Sequence, residues 1–285
     1  MQSNNDYPII NSKYIVESLI GKGNFGYVYA GYNKKTRQKI VIKLEEYNEN
    51  YITLKNEATI LKYLYDNKCY DIPQVQWYGR HNIYIGLVIP KYDCSLYDYI
   101  MNNTISPENI NSVMLSMLNI IENIHSLFVI HRDIKPHHFM LKKNQLFLID
   151  FGISTFYIDD NKQHKENNIG DSIIGSSNYA SYNLYNGNSY SRRDDLISIG
   201  YIYMFLYISE LPWEQLNNYE YADTCDLLSI KHTKNIECKN LKEFSLLLPL
   251  CAKINEKFGL YMNYCYSLSF DENPMYISYI SLFHI

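Results

Sequence analysis

Two short acidic motifs, separated by one apolar stretch, constrain this chain more than any other feature of its sequence. Asp133 lies in HRDIKP (residues 131–136), and Asp150 begins DFG (residues 150–152). Between them, LFLI (residues 146–149) has the apolar character of a short β-strand. We therefore expect two neighbouring loops that each present a carboxylate, because each acidic residue borders an apolar run.

The residue types around these carboxylates fit phosphoryl transfer from a nucleotide. Asp133 and Lys135 could handle a substrate hydroxyl, whereas Asp150 could hold a metal ion. Positioning and charge neutralisation supply most of the catalysis in such reactions. DFG alone would be weak evidence. Together, the two motifs in this order resemble the catalytic core of protein kinases.

A glycine-rich segment has the spacing GxGxxG over residues 21–26. A dinucleotide-binding fold shares this spacing but needs a helix directly after the glycines. Residues 27–32 (YVYAGY) are aromatic and β-prone, so the sequence favours a strand, a turn and a second strand. Glycines here would let the backbone approach phosphates closely, and a plain glycine hairpin is the alternative. The nucleotide-binding candidates in this segment are Gly21, Lys22, Gly23, Gly26 and Val28.

Lys43 and Glu57 form the next candidate pair. Lys43 lies in the apolar strand pattern KIVIKL (residues 39–44), and Glu57 follows fourteen positions later. Apolar residues recur at helical spacing over residues 51–65, so Glu57 is expected on a helix. The pair resembles the kinase Lys–Glu pair that orients nucleotide phosphates. The alternatives are a solvent-facing glutamate and an edge lysine with a buried stem.

Two more strands are predicted at residues 75–81 and 83–89, giving a small lobe with a five-stranded antiparallel sheet and one helix. Residues 90–92 then read as a hinge, with Ile89 at the back of the nucleotide pocket. Pro90 lacks an N–H group, so Tyr92 is the expected backbone donor to adenine.

From residue 95 the pattern becomes mainly helical. Helices are predicted at 95–101, 107–127 and 195–207, and the C-terminal remainder also has a helical pattern. Residues 155–175 are polar and have the position of an activation segment. The fold class is therefore α+β, with a small sheet-containing lobe and a larger, mainly helical lobe.

More specific elements resemble the casein kinase I family. They are GSSNYAS (residues 175–181), SRRDDL (191–196), LPWE (211–214) and SLSFD (267–271). The resemblance covers roughly residues 14–284. It implies a single two-lobed protein kinase domain over residues 1–285, divided into 14–90 and 91–285. It also implies transfer of phosphate from ATP, with Mg²⁺ or Mn²⁺, to Ser or Thr of protein substrates, and a structural role for Asp195 in bonding the catalytic-loop backbone.

Two departures from that family bear on the site. Asn178 replaces an arginine of the family, and residues 217–226 are polar and acidic where the family has a basic run. His138 stands where HRDxxxxN predicts a metal-binding asparagine. His138 is therefore a doubtful metal ligand, and the alternative is that it packs or hydrogen-bonds beside His137.

Three functions remain open from these residues. The first is an active Ser/Thr protein kinase, and the second is a pseudokinase that binds a nucleotide or acts as a scaffold, for which His138 is the argument. The third is a small-molecule phosphotransferase of related fold, against which the family-like elements at 175–181 and 191–196 argue.

The composition indicates which kinds of binding partner and which cellular location to expect. A net charge of −4 does not suggest binding to nucleic acid. No apolar run approaches the length of a membrane span, and residues 1–8 do not resemble a signal peptide. The six cysteines are scattered without a CxxC pair, which is typical of reduced thiols. We expect a cytoplasmic monomer, in a host cell if the protein is viral.

Overall fold

The computed structural model describes residues 9–23, 26–48, 53–170, 173–217 and 235–284. These residues form two compact units. The first comprises the described residues of Met1–Cys94 together with Met140–Ser154, and the second those of Ser95–Phe139 and Thr155–Ile285. The predicted division at residues 90 and 91 assigned 140–154 to the second lobe. In the structure this segment belongs to the first unit, because Leu148 N–H donates to the carbonyl of Asp71 at 3.0 Å.

An antiparallel sheet of six described strands dominates the first unit, with the order β1-β2-β3-β4-β6-β5. The predicted sheet had five strands. The additional strand is β1, whose two residues pair with the start of β2, so that Ile10 lies opposite Tyr14 and is buried. The strands are β1 (Ile9–Ile10), β2 (Tyr14–Gly23), β3 (Gly26–Asn33), β4 (Lys39–Glu46), β5 (Trp77–His81) and β6 (Tyr84–Pro90).

Helix α1 (Thr53–Asp66) begins where a side chain of β4 accepts hydrogen bonds from the first backbone N–H groups of the helix. The carboxylate of Glu45 accepts hydrogen bonds from the amides of Thr53 and Leu54, at 3.2 and 2.9 Å, and from the Thr53 hydroxyl. A carboxylate at a helix N-terminus also complements the helix dipole. This cap fixes α1 to β4, the strand that carries Lys43, and turns Glu57 into the interior of the unit.

A second sheet, with the order β10-β9-β7, leads to the DFG motif. Its strands are β7 (Cys94–Ser95), β9 (Phe139–Lys142) and β10 (Gln145–Leu148). A short pair, β8 (Val129–Ile130) and β11 (Thr155–Phe156), flanks the HRD motif in the second unit. The predicted strand between the two acidic motifs is therefore present as β10, and it ends two residues before Asp150.

Helices make up most of the second unit. Ser106 caps α3 by accepting a hydrogen bond from Asn109 N–H, and Pro107 occupies the first turn, where a missing N–H costs little. Helix α5 begins three residues before its predicted start, because the Asp194 carboxylate accepts the N–H of Ser191 at 2.8 Å and holds the first turn. The helices are α2 (Leu96–Asn102), α3 (Pro107–Ser126), α4 (Tyr182–Tyr185), α5 (Arg192–Ile208), α6 (Glu214–Asn217), α7 (described over 235–241), α8 (Phe244–Ile254), α9 (Glu256–Ser267) and α10 (Tyr276–Phe283).

The core of the second unit surrounds α5, which is buried along nearly its whole length. Tyr203 of α5 packs its ring against Phe258 and Phe283, with centroids 4.7 and 5.2 Å apart. Its hydroxyl still reaches Asn111 at 2.7 Å, so the polar end of this buried tyrosine is satisfied. Within the described residues, no helix combines the length and the apolar character that crossing a bilayer requires.

Candidate active site

In the first unit, Lys43 contacts Glu57, the carboxylate that the sequence paired with it, and also Asp150. Its Nζ donates to both carboxylate oxygens of Glu57, at 2.8 and 2.9 Å, and lies 3.3 Å from Oδ1 of Asp150. Burial alone would lower the pKa of Lys43, but the charges of Glu57 and Asp150 outweigh it and raise the pKa above its usual value. Lys43 therefore remains a fixed cation.

Asp150 differs from Glu57 in its access to solvent. The Glu57 side chain is 2% exposed, whereas that of Asp150 is 43% exposed. The backbone after Asp150 is held by Asn56 of α1, whose amide donates to the carbonyls of Phe151, Gly152 and Ser154 at 3.3, 3.0 and 2.9 Å. Asn56 was not a predicted site residue. Asn56 directly precedes Glu57 in the sequence, and this position was the signal that could have identified it.

The exposed carboxylate of Asp150 fits a hard divalent cation. Mg²⁺ prefers oxygen ligands and is usually bound by one or two carboxylates, waters and substrate phosphates. Among the residues that the structure describes, no group of three or more His, Cys, Asp and Glu side chains could hold a metal ion. Asp150 is thus suited to a metal that arrives with nucleotide phosphates, rather than to a site made by protein alone.

The described glycines lie on two antiparallel strands, β2 and β3, as predicted, and β3 takes the place of the helix of a dinucleotide fold. Gly21 pairs with Val28 across β2 and β3, Lys22 with Tyr27, and Gly23 with Gly26. A Cβ at Gly26 would lie 2.0 Å from the carbonyl oxygen of Leu44, so only glycine fits there. The remaining two residues of the motif, 24 and 25, lie outside the described residues.

Val28 also lies opposite Lys43 in the β3–β4 register. The hairpin that carries the glycines is therefore adjacent in the sheet to the cation predicted to bind phosphate. Ile89 is buried in β6 and lies opposite Val41 of β4.

The predicted hinge residues are well packed. Tyr92 is buried, and its ring contacts that of Phe147 with centroids 4.8 Å apart. Burial raises the pKa of the Tyr92 phenol, so the side chain stays neutral. The N–H of Lys91 donates to the carbonyl of Lys39 at 3.2 Å, so that amide is engaged within the unit.

In the second unit, Asp133, Lys135 and Ser176 form a closed set of hydrogen bonds. Lys135 Nζ donates to Asp133 Oδ2 at 2.8 Å and to the Ser176 hydroxyl at 2.9 Å, and Ser176 N–H donates to Asp133 Oδ1 at 2.8 Å. Burial would raise the pKa of Asp133, but the nearby His138 and Lys135 together lower it. Ser176 was not a predicted site residue, so its contact with both groups is new.

Asp195 holds the backbone of the HRD motif, as the family resemblance implied. Its carboxylate accepts the N–H groups of His131 and Arg132 at 2.8 and 3.0 Å. Arg132 has φ +70°, a conformation that is costly for a residue with a side chain. His125 Nε2 lies 3.0 Å from the same carboxylate, and its Nδ1 lies 2.5 Å from the Tyr276 hydroxyl. Sequence reasoning missed His125.

His138 is buried, and its Nδ1 lies 2.9 Å from the carbonyl oxygen of Asp133. A carbonyl can only accept, so this hydrogen bond assigns the proton to Nδ1. His137 instead stacks on Tyr97, with ring centroids 4.0 Å apart. The structure therefore shows a hydrogen bond from His138 to the Asp133 backbone, and metal ligation through Nε2 stays a prediction, because a ligating histidine commonly donates its other ring N–H to a carbonyl.

Gly175 allows the segment before Ser176 to approach the HRD motif. Its φ is +82°, and a Cβ built on it would lie 2.7 Å from the Arg132 carbonyl oxygen and 3.0 Å from Asp133 Oδ1. A side chain would therefore clash with the backbone that carries the carboxylate. The glycine is required by this contact, and not only by its torsion angle.

Replacing Gly175 with Ala should therefore lower the free energy of unfolding by about 1–3 kcal/mol and reduce any activity that depends on Asp133. Chemical denaturation and initial rates would measure both effects. Gly170→Ala is the matched control, because Gly170 also has positive φ, at +107°, but a Cβ there would meet nothing within 4 Å. Equal losses of activity in the two variants would show that the predicted clash is unimportant.

A comparison with protein families matches residues 14–265 to the protein kinase domain. The match spans the glycine-rich hairpin, the Lys43–Glu57 pair, both acidic motifs and Asp195. This chain belongs to the protein kinase family.

Proposed function

We propose that this chain is an ATP-dependent serine/threonine protein kinase of the casein kinase I type. The observation that carries the proposal is the 2.8 Å contact between Lys135 and Asp133, with Ser176 bonded to both. These contacts place a carboxylate that can accept a hydroxyl proton beside a cation that can offset phosphoryl charge. The intact pairing of Lys43 with Glu57 supports the same conclusion for the nucleotide-binding residues.

Each charged group has a role in this proposal. Asp133, which stays ionised because its pKa is lowered, would accept the proton of the substrate hydroxyl. Lys135 would offset the charge of the transferring phosphoryl group. Lys43 would bind the α- and β-phosphates of ATP, and Asp150 would hold magnesium. The metal, when bound, would supply further neutralisation of phosphate charge.

The remaining candidate residues would contact the nucleotide through uncharged groups. Backbone groups of the hairpin, from Gly21 to Gly26, would approach the phosphates, and Val28 would contribute apolar surface. Ile89 and the backbone N–H of Tyr92 would meet the adenine end. This assignment is supported by the register that places Val28 opposite Lys43.

Incubation with radiolabelled ATP, a generic protein substrate and Mg²⁺ or Mn²⁺ tests the proposal. The expected product carries label on serine or threonine. Nucleotide binding without transfer in either metal would establish the pseudokinase alternative. Label on a small hydroxyl compound, with none on protein, would establish a small-molecule phosphotransferase.

His138→Asn is expected to raise magnesium-dependent turnover on the order of tenfold, because an amide oxygen suits Mg²⁺ better than an imidazole nitrogen does. Manganese accepts nitrogen ligands more readily, so the gain should be smaller in Mn²⁺. His137→Asn is the control, since the His137 ring stacks on Tyr97 instead. A fall in turnover for His138→Asn would mean that the imidazole bond to the Asp133 carbonyl is essential.

Substrate choice should differ from that of the casein kinase I family, which favours acidic or phosphorylated peptides through a basic cluster. Asn178 carries no charge. The two arginines nearest in sequence that could compensate are already engaged: Arg192 donates to Asn273 and Asp271 at 2.9 and 2.7 Å, and Arg193 donates to Leu268 at 3.0 Å. The other departure, at residues 217–226, lies outside the described residues except for 217.

We therefore expect little or no preference for a phosphorylated residue upstream of the target. Matched peptides with and without that phosphate, compared by kcat/KM, would measure the preference. A large preference for the phosphorylated peptide would contradict the expectation and would require another cation.

A further inference from the structure

Lys242 is fully buried just after α7, and it is not one of the charged groups of the candidate active site. Its Nζ donates to the carbonyl oxygens of Ser177, Asn178 and Ala180 at 2.9, 3.1 and 2.7 Å. An ammonium group is costly to bury unless its donors are satisfied. Here three carbonyls match its three N–H groups, and aromatic faces add cation–π contacts. The rings, with centroids 4.8, 5.1 and 4.8 Å from Nζ, are those of Tyr185, Tyr201 and Trp213.

Every carbonyl from residue 177 to residue 180 receives a side-chain donor. The Tyr185 hydroxyl donates to Ser177 at 3.0 Å, the Trp213 indole to Asn178 at 2.7 Å, and the Ser198 hydroxyl to Tyr179 at 2.7 Å. Lys242 bonds three of these four carbonyls. Its ammonium is therefore the donor that most of these carbonyls share. We call this set of side-chain hydrogen bonds to residues 177–180 the anchor.

The anchored segment follows directly after Ser176, the residue that contacts both Asp133 and Lys135. The N–H groups of Tyr179 and Ala180 each donate to the Ser176 carbonyl at 3.0 Å. The turn that Lys242 holds therefore closes onto Ser176. A change in the anchor should displace Ser176 and, with it, the contacts to Asp133 and Lys135.

We propose that Lys242 is a positioning residue for the peptide substrate. Its ammonium holds residues 176–180 in place, so that Ser176 keeps its hydrogen bonds to Asp133 and Lys135. The inference rests on the proposed kinase function. Lys242 itself contacts neither substrate nor nucleotide in this proposal. Its effect should appear in the use of peptide and not in the binding of ATP.

The anchor needs a charged lysine. A neutral amine has two N–H groups and a lone pair, so it cannot donate to three carbonyls. Burial lowers the pKa of Lys242 to about 7, so the anchor should weaken as pH rises through that value. The titratable groups facing Lys242 are Tyr185 of α4, Tyr201 of α5, Cys238 of α7 and Tyr266 of α9. Burial raises the pKa of all three tyrosines, so they stay neutral in this range.

Stability should respond to pH in the opposite direction to peptide use. An unfolded lysine keeps its proton up to about pH 10.4, so above about 7 the unfolded chain binds more protons than the folded chain at this position. The contribution of Lys242 to folding stability therefore rises with pH. A loss of peptide phosphorylation at high pH would then not be explained by unfolding, and the difference in Tm between wild type and Lys242→Met isolates this contribution.

The test compares Lys242→Met, Lys242→Arg and the control Lys239→Met, which changes a lysine of α7 without the three carbonyl contacts. Lys242→Met should lower kcat/KM for peptide by about tenfold or more, while the KM for ATP stays within about twofold. Wild type should lose peptide kcat/KM as pH rises above about 7, whereas Lys242→Arg, which stays charged, should not. Cys238→Ser should retain the loss of peptide kcat/KM at high pH, with its midpoint at lower pH, because Cys238 raises the pKa of Lys242. Unchanged peptide kinetics in Lys242→Met, or an equal loss of ATP affinity, would overturn the proposal.

Two further measurements test the role of Lys242 if the first variant does not fold or if the wild-type chain is inactive. If Lys242→Met does not fold, Tyr185→Phe removes one donor to Ser177 and keeps the ring, and about a threefold rise in peptide KM is expected. If the wild-type chain transfers no phosphate, the proposed function fails, yet hydrogen exchange still tests the anchor. The amides of Tyr179 and Ala180 should then exchange faster in Lys242→Met than in wild type. Unchanged exchange, or an unchanged KM in Tyr185→Phe, would contradict the role of Lys242.

Discussion

Asp133→Asn is expected to lower phosphoryl transfer on the order of 10²-fold or more while leaving ATP affinity nearly unchanged. An amide has almost the shape of the carboxylate, so Ser176 N–H keeps an acceptor. It cannot take the proton of a substrate hydroxyl, and it removes the opposite charge that holds Lys135 at 2.8 Å. Initial rates with radiolabelled ATP and titration calorimetry with ATP would measure the two quantities separately.

The control is Asp160→Asn, which removes the same charge from an exposed position. It should change neither quantity beyond experimental error. Retained transfer in Asp133→Asn would remove Asp133 from the chemistry. A parallel loss of ATP affinity would instead indicate a structural role, since Asp133 lies in the second unit and the proposed phosphate-binding lysine in the first.

Lys43→Met is expected to lower both nucleotide affinity and folding stability. The nucleotide loses its phosphate-binding cation, and Glu57, whose side chain is only 2% exposed, loses the ammonium that donates to both of its carboxylate oxygens. Breaking a buried pair by removing one partner costs about 3–5 kcal/mol. Denaturant unfolding and ATP titration would measure the two losses, with Lys39→Met as the exposed lysine control on the same strand.

The double variant Lys43→Met/Glu57→Leu separates the two effects. Replacing a buried ion pair by apolar residues is often neutral or stabilising, so the double variant should recover most of the stability. It should still bind ATP weakly and transfer no phosphate. Recovery of nucleotide affinity in the double variant would show that Lys43 acts only through folding, and the proposed contact with phosphate would be wrong.

The sequence by itself determined the features whose signals are local. The aromatic run after the glycines excludes the helix of a dinucleotide fold, and β3 (Gly26–Asn33) is the strand that it predicts. The helical spacing around Glu57 and the Ser106–Pro107 start of α3 likewise depend on neighbouring residues only. The early start of α5 also had a local signal, an acidic residue three positions after Ser191, which the prediction at residue 195 did not use.

The tertiary structure alone decided which distant groups support the site. Lys242 lies in NLKEF (residues 240–244), a polar pattern that reads as an exposed lysine, yet its partners lie more than sixty positions earlier in the chain. Ser176 is bonded to Lys135, and Asn56 to the backbone after Asp150. Hydrogen bonds between positions so far apart depend on how the elements pack. No periodicity, cap or motif in a single stretch of sequence encodes that packing, because the buried environment of each group is built by other parts of the chain.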